Sequence, residues 1–303
     1  MRWRKEGLIF APKGNLWWAQ SYALLPTAEV LGNETIRVYF ASLDADRYGR
    51  IGYLEVDALN PRHVLDVTLD PILDLGRLGS FDDSGVNPSS VIAVDGRRFL
   101  YYIGWQRSQR VPYILFSGLA ASDDGRTFAR VSEAPVLDRS NAEPFLRSAP
   151  CVLHEDRLFK MWYVSALEWT VINGTQYPTY VIRYLESTDG RVWGGNGRVC
   201  INLEGDAEFG LGRPWVIRDG PIYKMWFSIR SRTAAYRLGF AESADGISWT
   251  RRDSLAGITR SDKGWDSEMI CYACVVKAGH QTYMFYNGNR HGSTGFGYAA
   301  WEE

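Results

Sequence analysis

No stretch of about eighteen consecutive apolar residues occurs in the 303-residue chain, so the sequence predicts no membrane span. The opening MRWRKEGLIFAPKG also lacks an apolar segment long enough for a secretory leader. Cysteine is scarce: Cys151, Cys200, Cys271 and Cys274 are too few for a disulfide scaffold in a chain of this size. Cys271 and Cys274 form a CxxC inside an apolar run with no second pair beside it, and read as buried small residues. No His/Cys/Asp cluster has metal-ligand spacing, so neither a structural metal nor a cofactor is expected. Neither sign of charge dominates, with Lys plus Arg at 34 and Asp plus Glu at 35. That balance removes the electrostatic case for nucleic acid or an anionic membrane as partner. Together these absences predict a cytoplasmic protein.

What is abundant is aromatic. Phe, Trp and Tyr make up 14% of the chain, with 12 Trp, more than a plain core requires. Flat π surfaces suit packing between sheets and stacking on the C–H faces of sugar rings. The stretch from Glu208 to Trp249 shows how they are organised. EFGLGRPWVI, YKMWFSIR and YRLGFAES are apolar runs separated by Arg218-Asp219-Gly220, a polar gap and Asp245-Gly246. Such runs bounded by Asp-Gly turns predict antiparallel strands joined by hairpins, about four to a sheet.

The unit recurs at intervals of about sixty residues, anchored on Pro26, Pro88, Pro150 and Pro214, with Tyr272 in the same place in the last copy. Second strands follow in step: Ile36–Ala41, Phe99–Trp105, Phe159–Val164, Tyr223–Ile229 and Tyr283–Asn287. Five self-similar all-β units predict a five-bladed β-propeller; a solenoid would need shorter repeats and atypical ends. The single domain 1–303 divides into blades at about 17–73, 81–137, 144–203, 208–258 and 265–301. The last blade stops after its third strand. Residues 3–10 resemble outer strands such as Phe128–Leu137 and are expected to supply the missing one, closing the ring without an exposed edge.

Strand parity puts the Asp-Gly turns on one face, where glycine or Asx supplies the positive φ; these turns read as structural. The other face collects the unusual residues. Six places before each anchor stand Gln20, Asp82, Pro144, Glu208 and Asp266, with Asp83 and Glu268 beside them. The hairpins of that face add Arg50, Trp105, Trp169, Arg230, Asn287, Asn289 and His291, and the innermost strands add Arg147, Arg213 and Tyr272. Carboxylates converging on an axis suit glycoside chemistry, one protonated for the leaving oxygen and another ionised as base or nucleophile. Asp82, Asp83, Glu208, Asp266 and Glu268 are therefore the candidate catalytic acids. The same acids could instead bond strand-start amides or pair with arginines. The arginine excess points to an anionic ligand such as a sugar phosphate, a sugar nucleotide or an acidic sugar.

The series RVYFAS, RIGYLEVD, FDDSGVNPSSVI, RSAPCVL, GRPWVI, GFAESADGISW, GWDSEMICY and YNGN resembles the five-bladed glycosidase superfamily across essentially the whole chain. That group includes arabinanases and β-xylosidases, invertases and levansucrases, and mannoside phosphorylases. The nearest look is to glycosidase-like proteins associated with surface-polysaccharide gene clusters. The resemblance implies a carbohydrate substrate and places Asp82 or Asp83 at the second-blade acid and Glu208 at a later axial carboxylate. Two departures bear on mechanism. The Asn-Asp-Pro-Asn and Arg-Asp-Pro motifs of invertase-type enzymes are absent, and Gln20-Ser21-Tyr22 stands where arabinanase-type enzymes place an Asp. The expected function is cleavage or transfer of a glycosyl unit, with a non-catalytic carbohydrate-binding propeller as the alternative.

Overall fold

A computed structural model describes residues 2–32 and 34–302. It is built almost wholly of strands. In chain order they are β1 (Arg2–Phe10), β2 (Ser21–Leu31), β3 (Thr35–Leu43), β4 (Gly49–Asp57), β5 (Val64–Val67), β6 (Gly85–Val94), β7 (Arg97–Arg107), β8 (Tyr113–Ser122), β9 (Ala129–Arg130) and β10 (Arg147–Glu155). There follow β11 (Leu158–Ile172), β12 (Thr175–Ser187), β13 (Arg198–Ile201), β14 (Glu208–Asp219), β15 (Ile222–Ser231), β16 (Arg237–Ser243), β17 (Thr250–Arg251), β18 (Cys271–Ala278), β19 (Gln281–Asn287) and β20 (Phe296–Glu302). Consecutive strands pair antiparallel as meanders, and single parallel contacts at Gly49–Gly85 and Tyr180–Gly210 join neighbouring meanders. The amino-terminal β1 is the exception to chain order. It pairs antiparallel with β20, from Arg2 opposite Glu302 to Phe10 opposite Phe296.

The middle strands read as unbroken apolar runs because both their faces are covered. Side chains alternate across a strand, so neighbours enter different cores. In β7, Phe99 and Tyr101 join one apolar cluster with Phe159, Met161 and Tyr163 of β11. Leu100 and Tyr102 join another with Tyr39, Ile51 and Tyr53. The aromatic excess is thus largely inter-sheet packing. First strands touch one another in a cycle: β2 contacts β6 and β18, β10 contacts β6 and β14, and β14 contacts β18.

The Asp-Gly turns also join meanders. Asp124, Asp189 and Asp245 each accept two backbone N–H bonds from the residues that follow, and Gly125, Gly190 and Gly246 take positive φ. Those N–H bonds hold all three carboxyls below their usual range, Asp245 at about 2. The turn carbonyls then accept from a neighbouring meander: Tyr39 bonds Gly125, Tyr101 bonds Gly190 and Trp162 bonds Gly246, at 3.0, 2.7 and 2.7 Å. Tyr283 completes the series by donating to Ala58 at 2.9 Å.

One expected register is corrected. Leu25, Ala149 and Arg213 adopt positive φ immediately before Pro26, Pro150 and Pro214, and Tyr272 does so before Ala273. The ladder slips at each of these places. Tyr272 is therefore the counterpart of Arg213, and Ala273 takes the anchor position. The bulge, rather than the proline ring, is the common feature, and it turns the residue before the anchor inward.

Candidate functional site

The acids at the strand starts are held by their own sheets. Asp82 is 1% exposed; its Oδ2 accepts from Tyr102 Oη at 2.9 Å and Arg130 Nε at 2.8 Å, and its Oδ1 from Ser80 at 2.8 Å. Asp266, 2% exposed, accepts from Tyr286 at 3.0 Å and Lys5 at 2.6 Å. Glu208 takes Arg251 through both oxygens, at 2.6 and 2.8 Å, with Arg237 at 3.1 Å. Burial opposes its charge, but the Arg251 bonds prevail and hold it below the usual carboxylate range. A fourth member, Glu143, lies one residue before the expected position at Pro144. It accepts from Tyr163 at 2.9 Å and pairs with Arg147 at 3.3 Å and Arg183 at 3.5 Å.

These four sites share one plan: an acid at the strand start, an aromatic residue in the middle of the second strand, and a cation. Tyr102, Tyr163 and Tyr286 each lie 20 residues after their acid, and burial raises every one of these phenols, so they stay protonated and donate. Phe227 takes the tyrosine position beside Glu208, with Arg251 5.3 Å from its ring. Buried carboxylates that are paired and hydrogen-bonded in this way fasten strands. Amide replacement should therefore act on stability. Asp82→Asn and Glu143→Gln are each expected to cost about 2–4 kcal/mol in urea unfolding. Asp83→Asn, at a half-buried turn residue whose partners among the described residues are Ser84 and the Gly79 amide, should cost under about 0.5 kcal/mol. Equal, small effects at all three positions would contradict the clamp.

Several expected ligand-binding residues are likewise occupied. Arg213 is 2% exposed and lies among the innermost strands, donating to the carbonyls of Tyr272, Ala273, Pro26 and Ser89 and to Thr27 Oγ1. Arg147 serves the Glu143 clamp. Arg50 bonds Asp44 and Asp74 and lies 5.0 Å over the Trp17 ring. Trp105 lies flat against Gly85, where an added Cβ would meet the indole at 2.3 Å. Asn287 ties Leu25 and Ala23 to Gly295, and Asn289 holds the amides of Glu268 and Met269. Leu25, Ile103, Leu146, Ala149, Val164, Ala166 and Tyr180 form a buried apolar cluster, with Trp169 and Tyr272 packed against it.

Four of the expected residues do come together. Arg230, Trp169, Tyr272 and His291 converge with Tyr113, Tyr177, Tyr180, Phe209 and Tyr236. Rings of Tyr177 and Phe209 lie 4.9 Å from the Arg230 guanidinium, with Tyr180 at 5.5 Å and Tyr236 at 5.6 Å. Gly210 makes the room: an added Cβ there would come within 3.0 Å of the Arg230 stem and 3.1 Å of Tyr180. The long hairpin of β11 and β12 builds a wall, through Trp169 against Tyr113 at 5.8 Å and Tyr177 against Phe209 at 5.6 Å. His291 packs edge-on to Tyr236 at 4.8 Å and stacks on Tyr272 at 6.2 Å.

Arg230 is the anomaly in this group. It is 6% exposed, its Nε is buried without a partner, and among the described residues its guanidinium makes no hydrogen bond or ion pair. Burial first, and the charge of Arg230 second, push His291 down to about 4, so its imidazole is neutral at pH 7. Burial carries Tyr180 and Tyr272 well above the usual phenol range and raises Tyr236 against the pull of Arg230. The cluster thus sets the Arg230 guanidinium among the protonated phenols of Tyr180, Tyr236 and Tyr272 and a neutral imidazole. Tyr113 and Tyr236 went unrecognised in the sequence, although each stands in a second-to-third hairpin of the expected face.

Comparison with known proteins agrees with this architecture. No protein-family model matches the chain. The uncharacterised proteins Rv1502 and MT1551, from two strains of Mycobacterium tuberculosis, are each 40% identical over 302 residues, spanning 100% of both chains. A glycosyl hydrolase from Bacteroides ovatus superposes with a TM-score of 0.76 at 12% identity, over 99% of this chain and 92% of the other. A thermostable family-43 glycoside hydrolase gives 0.68 at 18% identity, over 94% and 90%. A further glycoside hydrolase gives 0.74 at 20% identity, over 98% and 90%. At such identities the likeness is one of fold, and it bears out the resemblance seen in the sequence. The chain belongs to the same family as the two mycobacterial proteins, and its fold is that of the β-propeller glycosidases.

Proposed function

We propose that this protein is a five-bladed propeller that recognises an anionic carbohydrate in the pocket around Arg230. The blade count and closure are supported by the cycle of contacts among β2, β6, β10, β14 and β18 and by the pairing of β1 with β20. The observation that carries the ligand reading is a buried guanidinium without a protein partner, set among aromatic rings on a fold shared with glycoside hydrolases. Phenol hydroxyls that stay protonated can donate to sugar oxygens, and Trp169 and Tyr113 offer flat surfaces for a ring. A role in surface-polysaccharide metabolism accords with such a ligand.

Cleavage or transfer of a glycosyl unit is the second reading, favoured by the glycoside hydrolase neighbours. The acid best placed for it is Glu268. It lies outside the clamps, its side chain 55% exposed and, among the described residues, paired with Arg290 at 3.6 Å, and its neighbour Met269 accepts the His291 amide. A glycan array carrying neutral and acidic saccharides, combined with a reducing-end assay on the retained glycans, separates these readings. Retention without new reducing ends supports recognition, and new ends lost in Glu268→Gln support turnover. Absence of both retention and turnover across the array would sink the carbohydrate assignment.

A further inference from the structure

We infer that the Arg230 pocket is a carboxylate-binding subsite, which makes its ligand a sugar of the uronic acid class; this rests on the carbohydrate reading above. A buried guanidinium without a counter-charge is costly, and the cost is relieved by one negative charge delivered by a ligand. The surroundings set how much charge the pocket can take. Tyr180, Tyr236 and Tyr272 stay protonated, His291 is neutral, and Arg232 is exposed and 5.9 Å from the Phe209 ring. A monoanion brings the site to neutrality. A phosphate monoester, carrying about −1.5 to −2 at pH 7, would leave excess negative charge in a desolvated, aromatic-walled space.

Shape points the same way. Aromatic rings 4.9 to 5.6 Å from the guanidinium carbon crowd Arg230 but offer its N–H groups no strong acceptor. The N–H edge is what remains for a ligand, and a planar carboxylate matches that fork with two parallel hydrogen bonds. The aromatic wall then meets the sugar ring that carries the carboxylate.

The test is calorimetric titration of the full chain with disaccharides containing glucuronate or galacturonate, with the same sugars after carboxyl reduction, and with glucose 1-phosphate. The acidic sugars are expected to bind at least tenfold tighter than their reduced forms, and Arg230→Gln should erase that difference. Tyr236→Phe, which keeps the ring and removes one donor, should weaken acidic sugars about threefold to tenfold and serves if the arginine variant misfolds. Equal affinity for acidic and reduced sugars would overturn the carboxylate subsite while leaving carbohydrate recognition standing. Preference for glucose 1-phosphate would overturn it in favour of a phosphate site. Failure of every sugar to bind would remove both assignments.

Discussion

Arg213→Met is expected to destabilise the protein by about 3–5 kcal/mol, lowering the melting temperature by about 10 °C. The arginine reaches from β14 to carbonyls of Tyr272 and Ala273 in β18, Pro26 in β2 and Ser89 in β6, at 2.8 to 3.3 Å, and to the Thr27 hydroxyl at 2.7 Å. It therefore joins four first strands from one side chain. Burial lowers its proton affinity, and the nearby thiols of Cys274 and Cys151 only partly offset this. Methionine fills a similar volume but leaves four carbonyls without that donor, and each unsatisfied buried acceptor costs about 1–3 kcal/mol. Arg213→Lys keeps the charge but cannot present a planar fork to carbonyls from three strands, so it should recover less than half of the loss. Urea midpoints for the three proteins decide the matter. A methionine variant within about 1 kcal/mol of the parent would show that the inner strands hold together without this hub.

The strands were legible in the sequence because their determinants are local: apolar runs of a strand's length, Asp-Gly turns and a regular interval. The same locality misled at two points. Counting back from prolines placed Pro144 in the acid series and passed over Glu143, because the acid's place is set by the tyrosine that meets it rather than by a fixed distance from the proline. The separation of 20 residues between Asp82 and Tyr102, Glu143 and Tyr163, and Asp266 and Tyr286 is itself written in the sequence. It marks these acids as partners of phenols in their own sheets. The Arg230 pocket could be read only in part. Arg230, Trp169, Tyr272 and His291 belong to different hairpins and strands, and only packing shows that they share a space. Whether an arginine is paired depends on neighbours far away in the chain. Arg213 and Arg230 look alike as strand residues of one repeat, yet the Nη groups of one bond four carbonyls and a hydroxyl, while those of the other have no hydrogen-bond partner among the described residues.

Removing residues 1–12 is expected to prevent folding or to lower the melting temperature by more than about 15 °C. Strand β1 supplies more than a ladder to β20. Trp3 is 5% exposed and packs edge-on against Trp301 at 5.0 Å and Trp226 at 6.1 Å, and its amide bonds Gly257. Phe10 meets Phe40 at 4.9 Å and Phe296 at 6.1 Å, so the same strand touches elements from opposite ends of the chain. Lys5 is the cation of the Asp266 clamp, and its loss leaves the buried carboxylate, among the described residues, with Tyr286 alone and no counter-charge. Truncating a buried Trp costs about 3–5 kcal/mol, and breaking a buried pair costs a similar amount. Their sum approaches the whole stability of a typical domain, about 5–15 kcal/mol. The exposed β20 would also become a free edge open to pairing between chains, so the truncated protein should aggregate as it unfolds. Two point variants divide the effect: Trp3→Ala removes the packing and Lys5→Met the charge, each expected to lower stability by about 3 kcal/mol or more. Differential scanning fluorimetry with light scattering on all three reads out both melting and aggregation. A truncated chain that melts within about 3 °C of the full one would mean that β20 does not depend on β1.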